Sequence, residues 1–321
     1  MAVPRSYCHS NGIDPLKRTP AMKKLRFLVS LLTKNNDYQL EQAVAAQRTS
    51  TDLGVETQII FADNDPITQS TQILRVIQSD PILRPDAIVC EPVGGTALPQ
   101  VARAATAAGL GWVVLNRDAD YMPELRKTHA APIFSVSSDQ KEVGRIQGRQ
   151  FAALLPRGGT ILYIQGPSEN AVAKERFAGM QTSLPPNIHV TSLRGQWTEE
   201  SAQRSVASWI RLNSASRTPI DLIGAQNDAM AMGARKAFGD VQKPMERDRW
   251  MSLPFTGVDG VPKTGQAWVR TGSLTATVIT PPTAGQALSM LARAIESGSK
   301  PAERSFTTAE SFPPIEQLSR K

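Results

Sequence analysis

The stretch Thr275-Ala276-Thr277-Val278-Ile279-Thr280-Pro281-Pro282-Thr283-Ala284-Gly285-Gln286-Ala287-Leu288-Ser289-Met290-Leu291-Ala292-Arg293-Ala294-Ile295 changes its period halfway along. Its first part, Thr275 to Ile279, is a short, mostly β-branched run of the kind that forms a buried strand. After the prolines, Ala284, Leu288, Leu291 and Ile295 recur at intervals of four, three and four. That spacing puts all four on one helix face. A strand followed directly by an amphipathic helix is the unit from which a parallel sheet is built.

The same unit recurs outward from this stretch. Apolar runs stand at Phe27 to Leu32, Glu56 to Phe61, Ala87 to Cys90, Trp112 to Leu115, Ile161 to Ile164, Leu222 to Ala225 and Phe255 to Val258. A second helical pattern begins at Ser138, with Glu142 nearby, carries Val143, Ile146, Leu154 and Leu155, and stops before Pro156 and Gly158-Gly159. Alternating β and α elements imply right-handed crossovers and sheets covered on both faces, so the fold class is α/β. About ten strands in 321 residues exceeds one compact sheet and favours two doubly wound lobes. No repeat period of 20 to 50 residues appears, which excludes a solenoid.

With 40% apolar and 20% charged residues the chain is an ordinary globular one. Its formal charge is +7, but Arg5, Lys17, Arg18, Lys23 and Lys24 against Asp14 supply +4 of it within the first 24 residues. The remainder is too evenly charged to predict nucleic-acid binding. Cys8 and Cys90 form no disulfide framework, and His9, His129 and His189 stand apart from other ligating residues, so no metal site is expected. No run of 18 apolar residues exists. Lys23-Lys24 followed by Leu25 to Leu32, with Ala43-Val44-Ala45 downstream, has the outline of a secretory leader, but Arg26 interrupts it and the segment reads as the first strand. Residues 1–23 are expected to be a disordered tail.

In open parallel sheets the carboxyl ends of the strands face the ligand crevice. Those ends carry Asn35-Asn36-Asp37-Tyr38, Glu91, Asn116-Arg117-Asp118, Gln226-Asn227-Asp228 and Asp259-Gly260. They hold amides, carboxylates, guanidinium groups and an aromatic, without a nucleophile and base pair. A sugar offers hydroxyls that both donate and accept, on a ring with apolar faces. Planar polar groups match the hydroxyls, and flat side chains such as Tyr38 and Trp197 cover the ring. Asn and Asp at strand ends also cap the helices that follow, Tyr38 also fits a helix staple, and a lone Trp also fits packing; both readings stand for each. Gly94-Gly95 is too short for a phosphate loop, and no G-x-G-x-x-G follows a strand, so no dinucleotide cofactor is expected.

Residues 24–316 resemble the type I periplasmic binding proteins for sugars, the ribose-binding group, whose fold is shared with effector domains of lactose-repressor-like regulators. Ala225-Gln226-Asn227-Asp228-Ala229-Met230-Ala231-Met232-Gly233-Ala234 is similar to the family's A-x-N-D-x-M-A-x-G-A stretch. Val258-Asp259-Gly260, Leu115-Asn116-Arg117-Asp118, Ser138-Asp139 with Gly144, and Ala173 to Gly179 match as well.

The resemblance implies ligand contacts one position at a time. Asn36 would bond a hydroxyl and Tyr38 lie on the ring, although the family's proline between them is replaced by Asp37. Asn116-Arg117 stands where the family has D-R, so an amide replaces a carboxylate. Arg176 matches the family's arginine, Trp197 its second aromatic, and Asn227 and Asp259 match directly. Thr280 falls where ribose binders have Gln, and Glu91 where they often have Asn. Asp228 and Asp139 read as structural.

The resemblance also implies two lobes joined by three crossings near Ser138, Thr280 and Ala309, with residues 24–138 and 281–308 in one and 139–280 and 309–321 in the other. The expected function is a non-enzymatic, monomeric receptor for a monosaccharide or polyol, delivering it to the membrane subunits of an ABC importer in the periplasm or cell envelope. The alternative is a cytoplasmic sugar-sensing domain, although Pro4, Pro15 and Pro20 leave no helix-turn-helix in the tail. A neutral aldose is favoured over a sugar acid.

Overall fold

Among the residues described in the computed structural model, 24–94, 98–117, 119–212 and 219–318, two six-stranded sheets form. The tail expected over 1–23, and with it Gly95, Asp118 and 319–321, lies outside the described residues.

The first sheet has the order β11-β5-β4-β3-β1-β2. Its strands are β1 (Arg26–Leu31), β2 (Glu56–Phe61), β3 (Ala87–Cys90), β4 (Gly111–Leu115), β5 (Ile133–Ser138) and β11 (Arg304–Thr307), all parallel. The second has the order β12-β10-β9-β8-β6-β7. It contains β6 (Gly159–Gln165), β7 (Ile188–Arg194), β8 (Leu222–Ala225), β9 (Phe255–Asp259), β10 (Ala276–Ile279) and β12 (Glu310–Phe312). Only β12 runs antiparallel to its neighbour.

Each sheet is covered on both faces. In the first, Phe27, Val29 and Leu31 meet Ala46 of α1 (Asp37–Leu53) and Leu288 and Leu291 of α11 (Ala284–Ser297). Leu28, on the opposite face of the same strand, meets Ile73 of α2 (Pro66–Ile77) and Val101 of α3 (Pro99–Ala107). Two apolar faces explain why β1 reads as a continuous run instead of alternating. A Leu288→Ala or Leu291→Ala change removes about 2–5 kcal/mol from this layer. In the second sheet Ile161 and Tyr163 meet Phe151 of α5 (Gln140–Leu154) and Met180 of α6 (Ala171–Thr182). Leu162 and Ile164 meet Ala202 of α7 (Glu199–Arg211) and Met230 and Phe238 of α8 (Asp228–Gly239). Shorter helices are α4 (Met122–Thr128), α9 (Pro244–Met251), α10 (Gly265–Arg270) and α12 (Ile315–Leu318).

The helical pattern read from Ser138 starts two residues later. Ser138 closes β5, and Asp139 is the cap of α5, accepting from the Glu142 N–H at 3.0 Å. Four strands, β5, β7, β11 and β12, have no counterpart among the apolar runs. β7 and β11 are edge strands with alternating exposure, so their sequences are half polar.

The chain passes between the sheets at three places: from β5 into α5, from β10 into α11, and from β11 into β12. The Ser138 and Thr307 hydroxyls lie 2.9 Å apart, tying the first passage to the third. At the second, Gln42 Nε2 donates to Thr283 Oγ1 at 2.9 Å while its Oε1 accepts from the Ala284 N–H at 2.8 Å.

Candidate ligand-binding site

The carboxyl ends of β1, β3, β4, β8, β9 and β10 carry the polar residues singled out in the sequence, and the structure brings most of them together. From the first sheet come Tyr38, Glu91, Asn116 and Arg117. Glu91 is buried and takes a 3.0 Å bond from Gln39 Nε2. From the second come Arg176, Trp197, Asn227 and Asp259. Tyr38 feels both Glu91 and Asp259, so the two sheets contribute to one electrostatic neighbourhood.

Arg176 is the best-anchored member. Its side chain is buried, its Nε donates to Gln140 Oε1 at 2.8 Å, and its Nη1 donates to the Gln226 carbonyl. Its guanidinium stacks 5.8 Å from the Trp197 ring and stands 3.8 Å from Asp259 Oδ1. The indole of Trp197 rests on Gly166, where a Cβ would lie 2.3 Å from Cζ2, so only glycine fits beneath the ring. Backbone packing fixes the arginine's height, because Gly144 of α5 faces its carbonyl and a Cβ there would be 2.1 Å from that oxygen.

Two buried polar atoms of the site lack a protein partner. Asn116 Nδ2 lies beside Glu91 and Tyr38 but meets no acceptor at hydrogen-bonding geometry, while its Oδ1 takes a weak 3.4 Å bond from Thr283. Thr280 Oγ1, next to Asp259, is likewise without a partner. Such atoms cost about 1–3 kcal/mol each unless something else bonds them. The carboxylate of Asp259 accepts no hydrogen bond from the described residues. Three of the site's residues hold left-handed backbones, Asn116 at φ 56°, Trp197 at 65° and Asp259 at 108°. Strain of that kind gathers where the surroundings impose a side-chain direction.

Burial dominates the electrostatics. It lifts the Asp259 carboxyl to about 7, with Arg176 opposing and Glu91 and Asp37 adding to the rise. Glu91 is raised by burial against the pull of Gln39, Arg117 and Asn116. Burial, then Glu91 and Asp259, push the Tyr38 phenol up, and burial lowers Arg117. Arg117 donates to the Gly94 carbonyl, and the Tyr38 hydroxyl donates to the Pro281 carbonyl at 3.4 Å.

Asn36 and Asn227 occupy the strand ends, and both serve as helix caps. Asn36 Oδ1 accepts from the Gln39 N–H at 3.1 Å. Asn227 Oδ1 accepts from the Met230 N–H at 2.8 Å, and its Nδ2 donates to the Trp197 carbonyl at 3.0 Å. Asn227 thus also holds the loop that presents Trp197. Asp228 accepts from Thr277 Oγ1 at 2.7 Å and the Gly260 N–H at 2.8 Å, fixing the turn after Asp259.

Sequence reasoning missed the glutamines. Gln39 supports Glu91, Gln140 holds Arg176, and Gln226 accepts from the Gly166 N–H while donating to the Ala173 carbonyl, both at 2.8 Å. A usable signal existed in α1, whose buried stripe is Gln39, Gln42, Ala46 and Ser50: polar residues on an inward face. Among the described residues no three His, Cys, Asp or Glu side chains gather to hold a metal. A cavity of about 680 Å³ lies at the opposite end of the first sheet, lined by Arg26, Phe27, Gln47, Glu56, Arg75 and Leu83. It contains none of the residues above.

A family model described as a periplasmic binding protein domain matches residues 27–300. The ribose import binding protein of Salmonella typhimurium is 23% identical over 258 residues, 80% of each chain. The putative rhizopine-binding protein of Rhizobium meliloti is 28% identical over 214 residues, 64% of this chain and 63% of that one. The D-ribose/D-allose-binding protein of Pseudomonas aeruginosa is 25% identical over 239 residues, covering 73% and 70%. Among solved structures, an ABC transporter solute-binding protein from Actinobacillus succinogenes with bound D-allose aligns with TM-score 0.77 at 18% identity, covering 93% of this chain and all of that one. A galactofuranose binding protein aligns with TM-score 0.75 at 20% identity, covering 92% and 98%. At such identities the structural likeness concerns the fold.

Proposed function

Starting from the chain's membership of the periplasmic binding protein domain family, we propose that it is a receptor that encloses a monosaccharide or related polyol between two lobes and releases it unaltered. The lobes are residues 24–138 with 281–308, and 139–280 with 309–321, hinged at the three passages between the sheets. One observation carries the reading: Asn116 Nδ2 and Thr280 Oγ1 are buried without partners beside the unbonded carboxylate of Asp259. A hydroxyl donates to one neighbour and accepts from another, so a polyhydroxylated guest satisfies all three groups at once. Tyr38 and Trp197 supply the flat faces for its ring, and Arg176, Arg117 and Glu91 the remaining polar contacts. The names of the relatives, which bind ribose, allose or rhizopine, support this class of ligand. Delivery to the membrane subunits of an ABC importer, on the outer side of the membrane that holds them, is part of the same proposal.

Thermal unfolding against a panel of monosaccharides and polyols tests the reading. A ligand at 100 times its Kd stabilises the folded state by about 2.7 kcal/mol. A rise in Tm with at least one panel member is expected; no rise with any member contradicts the proposal.

A further inference from the structure

The charge balance of the same cleft narrows the guest, an inference that rests on the binding reading above. Three carboxyl groups bear on the site: Glu91 at the end of β3, Asp259 at the end of β9 and Asp37 in the first turn of α1. Two guanidinium groups oppose them, and both are committed to protein atoms. Arg176 is spread over Gln140, the Gln226 carbonyl and the Trp197 ring, and its nearest approach to Asp259 is 3.8 Å, too long for a hydrogen bond. Arg117 is turned to the Gly94 carbonyl. Asp259, with only 14% of its side chain exposed, therefore keeps its carboxylate lone pairs unused, and Glu91 stands near enough to repel it.

We propose that the favoured guest is a polyol bearing one protonated amine, its ammonium seated between the carboxylates of Glu91 and Asp259.

An ammonium brings three donors and no acceptor, which suits two carboxylates and nothing else in the cleft. The guest's hydroxyls then serve Asn116 Nδ2 and Thr280 Oγ1, the partnerless atoms. A neutral polyol satisfies the same hydroxyl contacts but leaves the surplus negative charge in place. A sugar acid adds to it. The upward displacement of both carboxyls accords with this, since Arg176 alone does not bring Asp259 back to the ordinary range. Tyr38, whose phenol feels both carboxylates, marks the place where the two fields overlap.

Calorimetric titration of the whole protein with matched sets tests the assignment: a hexosamine, its parent hexose and the corresponding uronate in several ring configurations, and an aminocyclitol with its parent cyclitol. The amine should bind at least tenfold more tightly than its parent in one or more sets, with the acid weakest. In Glu91→Gln the ratio of amine to parent affinity should fall towards one, and Asp259→Asn gives the same readout should that variant not fold. A parent that binds as tightly as its amine in every set overturns this inference and leaves the receptor reading standing. Failure of every compound in every set overturns both.

Discussion

Replacing Gly144 by alanine should cost stability and ligand affinity together, although the residue touches no ligand. In an open helix interior the change from glycine to alanine is worth about 1 kcal/mol of stabilisation. At Gly144 the new Cβ would lie 2.1 Å from the carbonyl oxygen of Arg176 and 2.8 Å from both the Arg176 carbonyl carbon and the Met180 nitrogen. All three are backbone atoms of α6, so no side chain can swing aside, and the helix itself must move by roughly an ångström to restore contact distance. Overpacking of this kind costs about 1–3 kcal/mol, and rigid backbone on both sides puts it at the upper end. The net loss is about 2 kcal/mol after the helix gain is subtracted, or roughly 4–8 °C in Tm for a domain of this size. Because α6 carries Arg176, its guanidinium leaves its register with Asp259 and Trp197, and affinity for the best panel sugar should drop about tenfold, worth ~1.4 kcal/mol. Gly239→Ala is the control: the nearest atom to its Cβ is 3.9 Å away, so that variant should be neutral or up to about 1 kcal/mol more stable. Thermal unfolding of both variants, followed by titration, decides the matter. If Gly144→Ala matches Gly239→Ala in stability and wild type in affinity, the close packing of α5 on α6 does not set the position of Arg176.

Three further outcomes follow from the same geometry. Thr280→Val removes a buried hydroxyl without a protein partner, so unliganded Tm should hold or rise while affinity falls by about 1–3 kcal/mol in titration. Gly166→Ala drives the Trp197 indole off its seat, which should shift tryptophan fluorescence and weaken ligand binding; an unchanged spectrum with unchanged affinity would show that the ring does not depend on that glycine. The Asp259 carboxyl ionises near 3.8 when unfolded and at about 7 in the fold, so the unfolded chain loses its proton first. Its stabilising contribution is therefore complete below pH 4 and lost as pH rises to 7, by about 4 kcal/mol at most. Unliganded wild type should lose Tm over that window relative to Asp259→Asn, and parallel curves would contradict the burial argument.

Much of the fold was legible because parallel strands buried on two faces leave unbroken apolar runs, as at Phe27 to Leu32, and because α11 keeps a strict apolar stripe on Leu288 and Leu291. β7 and β11 escaped because an edge strand exposes every second residue and loses that signature. The strand-end rule found Glu91, Asn116 and Asp259, since position on a parallel sheet is fixed by topology. It could not separate a ligand contact from a cap: Asn36 and Asn227 obey the rule and cap helices. Gln140 and Gln226 were hidden because a glutamine in a helix or beside an N-D pair looks solvated, and only three-dimensional packing turns its amide inward. Gly144 and Gly166 were equally silent, since their roles lie in what presses against them.

A crystal structure of the protein with its best-binding panel sugar or polyol tests the central claim most directly. The guest's hydroxyls should lie within hydrogen-bonding distance of Asn116 Nδ2, Thr280 Oγ1 and the Asp259 carboxylate, with its ring against Tyr38 or Trp197. A guest seated elsewhere, such as the cavity beside Arg26 and Arg75, with those three groups still unbonded, would contradict it.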